Sequence, residues 1–138
     1  MAKSLMKLLL AVPALLAGVA NGLQWLNDIP LDAYYEPGTE FVLEWTPEDR
    51  TDTFRLMVDT FLTTPIIVPP PPGVRPPAYD FKTVNIYVDD AVKFSDGNYT
   101  WLIEPVENRT GADYTYRLGA VYGGTYSSPR AFHLEAAA

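Results

Sequence analysis

Short segments in which apolar and polar side chains alternate are the feature that most limits the folds open to this chain. In residues 40–45 (EFVLEW), the side chains of Phe41, Leu43 and Trp45 fall on one face and two glutamates fall on the other. A period of two residues is that of a β-strand with one buried face. The pattern therefore predicts a half-buried strand and not a helix.

Similar segments recur along the chain, separated by turn-forming residues such as Asp96-Gly97-Asn98 and Gly123-Gly124. Half-buried strands at this spacing are typical of two packed antiparallel sheets. We predict an all-β, immunoglobulin-like antiparallel β-sandwich of about seven strands, in one domain over residues 21–135. The predicted strands are residues 40–45, 53–60, 81–88, 98–104, 114–122 and 130–135, with a weaker one at 23–26.

The first twenty residues have the pattern of an export signal. Two lysines precede an apolar run over residues 8–19, and small residues follow it. The run is too short to span a bilayer as a helix. We predict a signal peptide over residues 1–20 with cleavage near 20–22. The remaining chain is then expected to be secreted, in the extracellular space or the cell wall.

The net negative charge of the chain argues against negatively charged partners. The formal net charge of −7 becomes −9 when Lys3 and Lys7 are removed with the signal. An acidic surface argues against nucleic acid and against an anionic membrane as partner, and no later segment has the length of a membrane span.

The absence of cysteine limits both the chemistry and the stabilisation of the domain. With a single histidine, His133, the chain lacks the ligands of a zinc or blue-copper site, so no metal or other cofactor is expected. His133 is interpreted as a surface residue of a strand. No disulfide can stabilise the domain, so its stability must come from a packed core. Trp45 and Trp101 are in phase with aliphatic neighbours and are predicted core residues.

Residues 65–77 (PIIVPPPPGVRPP) interrupt the strand pattern, since seven of these thirteen residues are proline. Proline cannot donate to a strand ladder, so this segment is expected outside the sheets, extended as polyproline II. Two interpretations remain. The segment is either a stiffened loop between two strands, which is the preferred one, or a protruding ligand for an aromatic groove on a partner.

Few residues in the sequence indicate covalent chemistry. Asn98 and Asn108 each begin an Asn-X-Thr tripeptide, the acceptor pattern for N-glycosylation in a secreted protein. The pairs Asp89-Asp90 and Glu104…Glu107 are the nearest candidates for an acid and a base, but neither occurs in a catalytic motif. The sequence therefore predicts a non-enzymatic protein.

Tyrosine is the residue most able to provide a binding surface here, because its flat ring stacks on sugars and contacts proteins at low entropic cost. Sandwich proteins commonly bind through loops gathered at one end. The predicted ligand contacts are tyrosines in three connections: Tyr34, Tyr35, Tyr79, Tyr122 and Tyr126.

The order of several short motifs resembles the N-terminal domain of the fungal cell-wall synthesis family linked to killer-toxin resistance and 1,6-linked β-glucan, also found in Ser/Thr-rich, glycolipid-anchored fungal surface proteins. The likeness covers residues 26–134. The matching pieces are Pro37-Gly38, residues 41–46 (FVLEWT), 54–56 (FRL), 96–101 (DGNYTW), 113–118 (DYTYRL) and 126–132 (YSSPRAF).

This resemblance implies an immunoglobulin-like sandwich that is secreted and attached to, or active within, the cell wall. It provides no catalytic residues. The expected function is therefore a non-enzymatic module of the fungal cell wall or extracellular matrix, with a structural role or with a cell-wall polysaccharide or extracellular protein as partner. The alternatives are a secreted fungal effector that binds a host protein, and an enzyme built on clustered carboxylates.

Overall fold

The computed structural model describes residues 22–73 and 76–136, so the predicted signal peptide lies outside the described residues. Within them, ten strands and one turn of 3-10 helix, Phe94–Asp96, are formed. The strands are Tyr34–Tyr35 (β1), Glu40–Glu44 (β2), Thr53–Leu62 (β3), Ile66–Val68 (β4), Ala78–Asp80 (β5), Val84–Lys93 (β6), Asn98–Leu102 (β7), Tyr114–Tyr122 (β8), Thr125–Ser127 (β9) and His133–Leu134 (β10).

Two antiparallel sheets form the body of the domain. The larger sheet has the order β6-β3-β8-β9, and the smaller sheet pairs β2 with β7. A bridge between Trp25 and Trp45 adds the N-terminal segment to the smaller sheet, where the weaker strand at 23–26 was expected. The all-β prediction is confirmed, and the pairing order fits an immunoglobulin-like sandwich.

One hydrophobic core lies between the two sheets. The alternation that predicted β2 buries Phe41 and Leu43, while β3 buries Phe54, Leu56 and Val58 from the opposite sheet. Aromatic rings dominate this core and meet edge to face or stacked, which adds to the free energy from burial alone. They include Trp45, Phe54, Phe94, Tyr116 and Phe132.

The predicted core tryptophans are both buried. Trp45 is fully inaccessible and donates a hydrogen bond from its indole Nε1 to the carbonyl oxygen of Phe94 at 2.9 Å. Trp101 packs beside Phe132 and is 6% exposed. The buried indole of Trp45 therefore has its polar atom satisfied, as a core position requires.

The segment that precedes β2 and the C-terminal segment meet at the side of the sandwich. Strand β1 pairs in parallel with β10, and Phe132 forms an isolated bridge to Tyr116 of β8. The last predicted strand is thus divided into a bridge and a two-residue strand. The short strands β1 and β9 were not predicted, because two or three residues carry too little periodicity to be recognised.

Strand β6 extends beyond the predicted segment 81–88, to Lys93, and its pairing with β3 shifts register near Leu56. Alternation along β6 places Val84, Ile86 and Val88 on one face. Val84 and Val88 pack against the core, but Ile86 remains exposed at the margin of the sheet. The side chain of Ile86 lines an open groove, described below.

The proline-rich segment differs from its prediction. Residues 66–68 do not continue an extended polyproline segment but form β4, which pairs with β5 in a separate two-stranded antiparallel sheet. We call residues 66–80 the arm. Branched aliphatic residues at 66–68 favour a strand, and the prolines are confined to its ends and to the connection between β4 and β5.

Candidate functional site

The strand directions place the predicted contact tyrosines at two ends of the domain. Strand β3 ends at Leu62, opposite Tyr114 at the start of β8, and the arm follows directly from there. We call this the arm end, and it carries Tyr79. Tyr122 and Tyr126 belong to the β8–β9 hairpin at the opposite end. The five tyrosines therefore do not form one surface.

The arm carries a group of exposed apolar side chains. Ile66, Ile67 and Val68 are all exposed, Ile67 at 60%, and Tyr79 opposite Ile67 is 61% exposed. An isolated two-stranded hairpin is marginally stable in water. The exposure of its apolar side chains to water is unfavourable, and their burial would stabilise it. Exposed, adjacent apolar side chains of this kind mark interaction sites.

The base of the arm is fixed to the body by hydrogen bonds. The N–H of Leu62 donates to the carbonyl oxygen of Phe81 at 2.7 Å, and Arg109 Nη1 donates to the Lys82 carbonyl oxygen at 2.7 Å. Lys82, in a left-handed conformation with φ of 51°, donates from its backbone N–H to Asp80 Oδ1 at 2.9 Å. This bond, with the Lys82 ammonium, lowers the pKa of Asp80. These hydrogen bonds fasten the base of the arm to the body of the domain.

Tyr34 also reaches the arm end. Its ring stacks on the imidazole of His133, with ring centroids 4.8 Å apart, and remains 44% exposed. His133 Nδ1 lies 2.8 Å from the carbonyl oxygen of Tyr114, so the expected surface histidine is half-buried and hydrogen-bonded. A cleft of about 230 Å³ beside it is lined by Leu31, Asp32, Thr63, Thr115, Arg130, Ala131, Phe132 and His133.

Two of the other predicted contact tyrosines, Tyr35 and Tyr122, pack against the core of the domain. Tyr35 packs edge to face on Phe41 and Phe132, and burial raises its pKa. Tyr122 packs on Phe94, and its hydroxyl accepts a hydrogen bond from the N–H of Leu23 at 2.7 Å. These two rings therefore do not project freely into solvent, because both pack against the hydrophobic core.

Tyr126 is likewise packed, on the outer face of the larger sheet. Burial raises its pKa, and the nearby Asp59 carboxylate adds to the shift while Arg117 opposes it. The Arg117 guanidinium lies between the rings of Tyr126 and Phe61, at 5.4 and 5.1 Å from their centroids. Tyr126 therefore covers a charged group and does not present a free ring.

That charged group is an ion pair that the sequence reading missed. Asp59 of β3 is 2% exposed, and its Oδ2 accepts a hydrogen bond from Arg117 Nε at 3.0 Å. Its Oδ1 has no hydrogen-bond partner among the described residues. Asp59 is on the face of β3 opposite to the core residues Leu56 and Val58. It is nevertheless buried, because Arg117 and Tyr126, which are distant from it in sequence, lie close to it.

The predicted glycosylation asparagines are both exposed. Asn98 begins β7, opposite Glu44, and Asn108 lies in the loop before β8 with φ of 58°. The carboxylate pairs make no cluster. Asp89 Oδ1 accepts a hydrogen bond from the N–H of Ala91, and within residues 22–73 and 76–136 no three His, Cys, Asp or Glu side chains are grouped to hold a metal ion.

Comparison with protein-family models, with curated proteins and with solved structures found no match to this chain. No helix in the described part of the chain is long and apolar enough to cross a membrane.

Proposed function

We propose that this protein is a non-enzymatic, secreted binding module that contacts an extracellular protein through the arm. The observation that carries the proposal is the exposure of Ile66, Ile67, Val68 and Tyr79 together on one hairpin that stands apart from both main sheets. Burial of these apolar side chains against a partner removes them from water and contributes favourable free energy to binding.

The chemistry of the arm favours a protein over a polysaccharide. Sugars stack on flat rings, and Tyr79 is the only aromatic residue of the arm. Strand β4 offers branched aliphatic side chains, which complement an apolar pocket of a protein better than a hydroxylated sugar chain. Polysaccharide binding is the competing hypothesis, because the stacked rings of Tyr34 and His133 offer a flat surface on which a sugar could stack.

The arm is also prepared for binding before the partner arrives. Its base is fastened at Lys82 and Phe81, and its connection is stiffened by prolines. A connection that is stiffened by prolines loses less conformational entropy on association than a flexible one, so more of the contact free energy is expressed as affinity. The prolines are therefore consistent with a stiffened loop and also with a protruding ligand, because a stiff connection allows the arm to project.

The location of this function follows from the sequence. The export signal and the resemblance to the fungal cell-wall family support a module in the fungal wall or matrix. An effector that binds a host protein would use the same arm, so the two differ in the source of the partner and not in the surface.

A wall-retention assay tests the proposal. Mature protein is incubated with fungal walls that are untreated, protease-treated or supplemented with soluble β-glucan, and the retained fraction is measured. We expect protease treatment to abolish retention. The Ile67→Ser/Tyr79→Ser variant should lose at least about tenfold in affinity, and Leu102→Ser, which alters an equally exposed residue of β7, should bind as the parent does.

Two results would contradict the proposal. Retention that survives protease but is competed by soluble glucan would identify a polysaccharide partner. Equal retention of the parent and the double variant would show that the arm is not the contact surface.

A further inference from the structure

A groove lies on the side of the sandwich where β6 and β7 face each other from different sheets. Its volume is about 370 Å³, within the range of ligand-binding clefts. Most of its lining is apolar, with two carboxylates from the loop that follows β7. The lining residues are Val58, Ile86, Val88, Trp101, Glu104, Pro105, Val106 and Glu107.

The groove is bordered by two open strand edges. β6 is the last strand of the larger sheet and β7 is the last strand of the smaller one, so among the described residues the outer backbone edge of each has no strand partner. Natural proteins usually protect such edges with charges or bulges. Residues 84–88 (VNIYV) carry no charge, and their pairing with β3 is regular as far as Tyr87.

The loop that carries the carboxylates is held in one conformation. The hydroxyl of Tyr116 accepts a hydrogen bond from the N–H of Val106 at 2.9 Å and donates one to the Arg109 carbonyl oxygen at 2.7 Å. Glu107 adopts a left-handed conformation with φ of 51° within this loop. The backbone of this loop is therefore attached to the core at Val106 and Arg109, on either side of Glu107.

These carboxylates have no cationic partner of their own. Neither Glu104 nor Glu107 forms an ion pair with any described residue, and the groove lining contains no basic residue. Asp90, on the neighbouring strand, instead pairs with Arg55. The groove thus combines an apolar wall, an open strand edge and unpaired negative charge.

We propose that an extended segment of a partner, with lysine or arginine at every second residue, adds to the edge of β6 at residues 84–88 as a fifth strand. Its main chain makes the ladder hydrogen bonds that the edge lacks. Its alternate side chains face the groove, where their aliphatic stems cover Ile86 and Val88 and their charged ends reach Glu104 and Glu107. This surface is separate from the arm and does not rest on the function proposed for it.

A defined peptide serves as the probe. A seven-residue acetylated peptide of alternating threonine and lysine is titrated into the mature protein at low ionic strength, and binding is followed by calorimetry and by amide hydrogen exchange. We expect it to bind at least about tenfold more tightly than the threonine–glutamate peptide, and to slow exchange within residues 84–88. Affinity should fall as salt is raised.

Two controls separate main-chain pairing from charge attraction. A peptide with N-methylated amides at alternate residues keeps its charge but cannot complete the ladder, and should bind at least about tenfold more weakly. Glu104→Gln/Glu107→Gln should cause a similar loss, whereas Glu40→Gln/Glu44→Gln, on the solvent face of β2, should not. The arm variant Ile67→Ser/Tyr79→Ser should bind the peptide as the parent does.

Three results would overturn the proposal. Equal affinity for the lysine and glutamate peptides would remove the electrostatic argument. Unchanged binding of the N-methylated peptide would show that no strand is added, and an equal loss in the β2 control variant would show that only net charge matters.

Discussion

The hydroxyl of Tyr116 accepts a hydrogen bond from the backbone N–H of Val106, ten residues earlier, and donates one to the carbonyl oxygen of Arg109. Tyr116 is fully buried in the central strand β8, while Val106 and Arg109 belong to the loop that enters it. This relationship resembles the tyrosine corner of Greek-key sandwiches, where a buried hydroxyl satisfies the backbone of a tight connection. It links the core to the loop that borders the groove.

Removing that hydroxyl should destabilise the domain. Tyr116→Phe leaves the N–H of Val106 and the carbonyl oxygen of Arg109 without their partner in a buried site, which typically costs about 1–3 kcal/mol. Urea unfolding followed by tryptophan fluorescence measures the change. Tyr34→Phe removes a hydroxyl from an exposed ring and should change stability by less than about 0.5 kcal/mol. Equal effects of the two variants would show that the corner contributes nothing.

The packed and the exposed tyrosines should respond differently to truncation. Tyr35→Ala/Tyr122→Ala removes rings packed on Phe41, Phe132 and Phe94, and should lower the free energy of unfolding by at least about 3 kcal/mol in total. Tyr34→Ala/Tyr79→Ala removes the same number of atoms from exposed positions.

The second pair should therefore cost less than about 1 kcal/mol in the same unfolding assay. If the Tyr35 and Tyr122 pair were instead fully stable and lost only partner binding, the assignment of these rings to the fold would fail.

The ion pair on the outer face of the larger sheet gives a third prediction. Arg117→Met leaves the buried Asp59 carboxylate uncompensated and should cost about 3–5 kcal/mol. Replacing both partners, as in Asp59→Val/Arg117→Met, should recover a large part of that loss, since an apolar pair of similar volume needs no solvation. The full cycle includes Asp59→Val alone and is measured by urea unfolding. A double variant no more stable than Arg117→Met would contradict this account.

Stability should fall at alkaline pH. Burial raises the pKa of Tyr35, Tyr99, Tyr116 and Tyr126 above the value of about 10 for an unfolded chain. The folded state then holds more protons than the unfolded state, so the stabilisation is complete below pH of about 10 and is lost as the pH rises through the folded-state pKa values. Each such tyrosine contributes a slope of at most about 1.4 kcal/mol per pH unit.

Urea unfolding of the parent and of Tyr126→Phe at a series of pH values up to about 11 checks this. The variant should lose less stability above pH of about 10 than the parent does, while at pH 7 the two should differ only by a constant. A free energy of unfolding that stays level through this range would contradict the assignment.

Much of the body of the fold could be predicted because its strands are amphipathic. The phases of β2, β7 and β8 follow from alternation within five to nine residues, so the burial of Trp45 and Trp101 could be read directly from the sequence. Strands β1 and β9 are too short for any period to be visible. The position of β1 is set by pairing with residues nearly a hundred positions away, as with Tyr34 and His133.

The candidate sites could be predicted only in part. The proline content of residues 65–77 predicts a segment outside the main sheets. The pairing of Ile67 with Tyr79 that forms the arm cannot be inferred from either half of the segment alone. The groove could not be predicted for the same reason, since its walls come from separate parts of the chain. Glu104 and Glu107 are close in sequence, yet nothing local connects them with Ile86 on the other sheet.

The sequence by itself determined the class of structure, since a period of two residues and the absence of cysteine are local properties of the chain. It also determined which side chains carry charge and which can fill a core. The tertiary structure alone decided which tyrosines remain free. Nothing in the local sequence distinguishes the exposed Tyr79 from Tyr122, because the hydroxyl of Tyr122 becomes a structural acceptor only when the distant backbone N–H of Leu23 is brought to within hydrogen-bond distance.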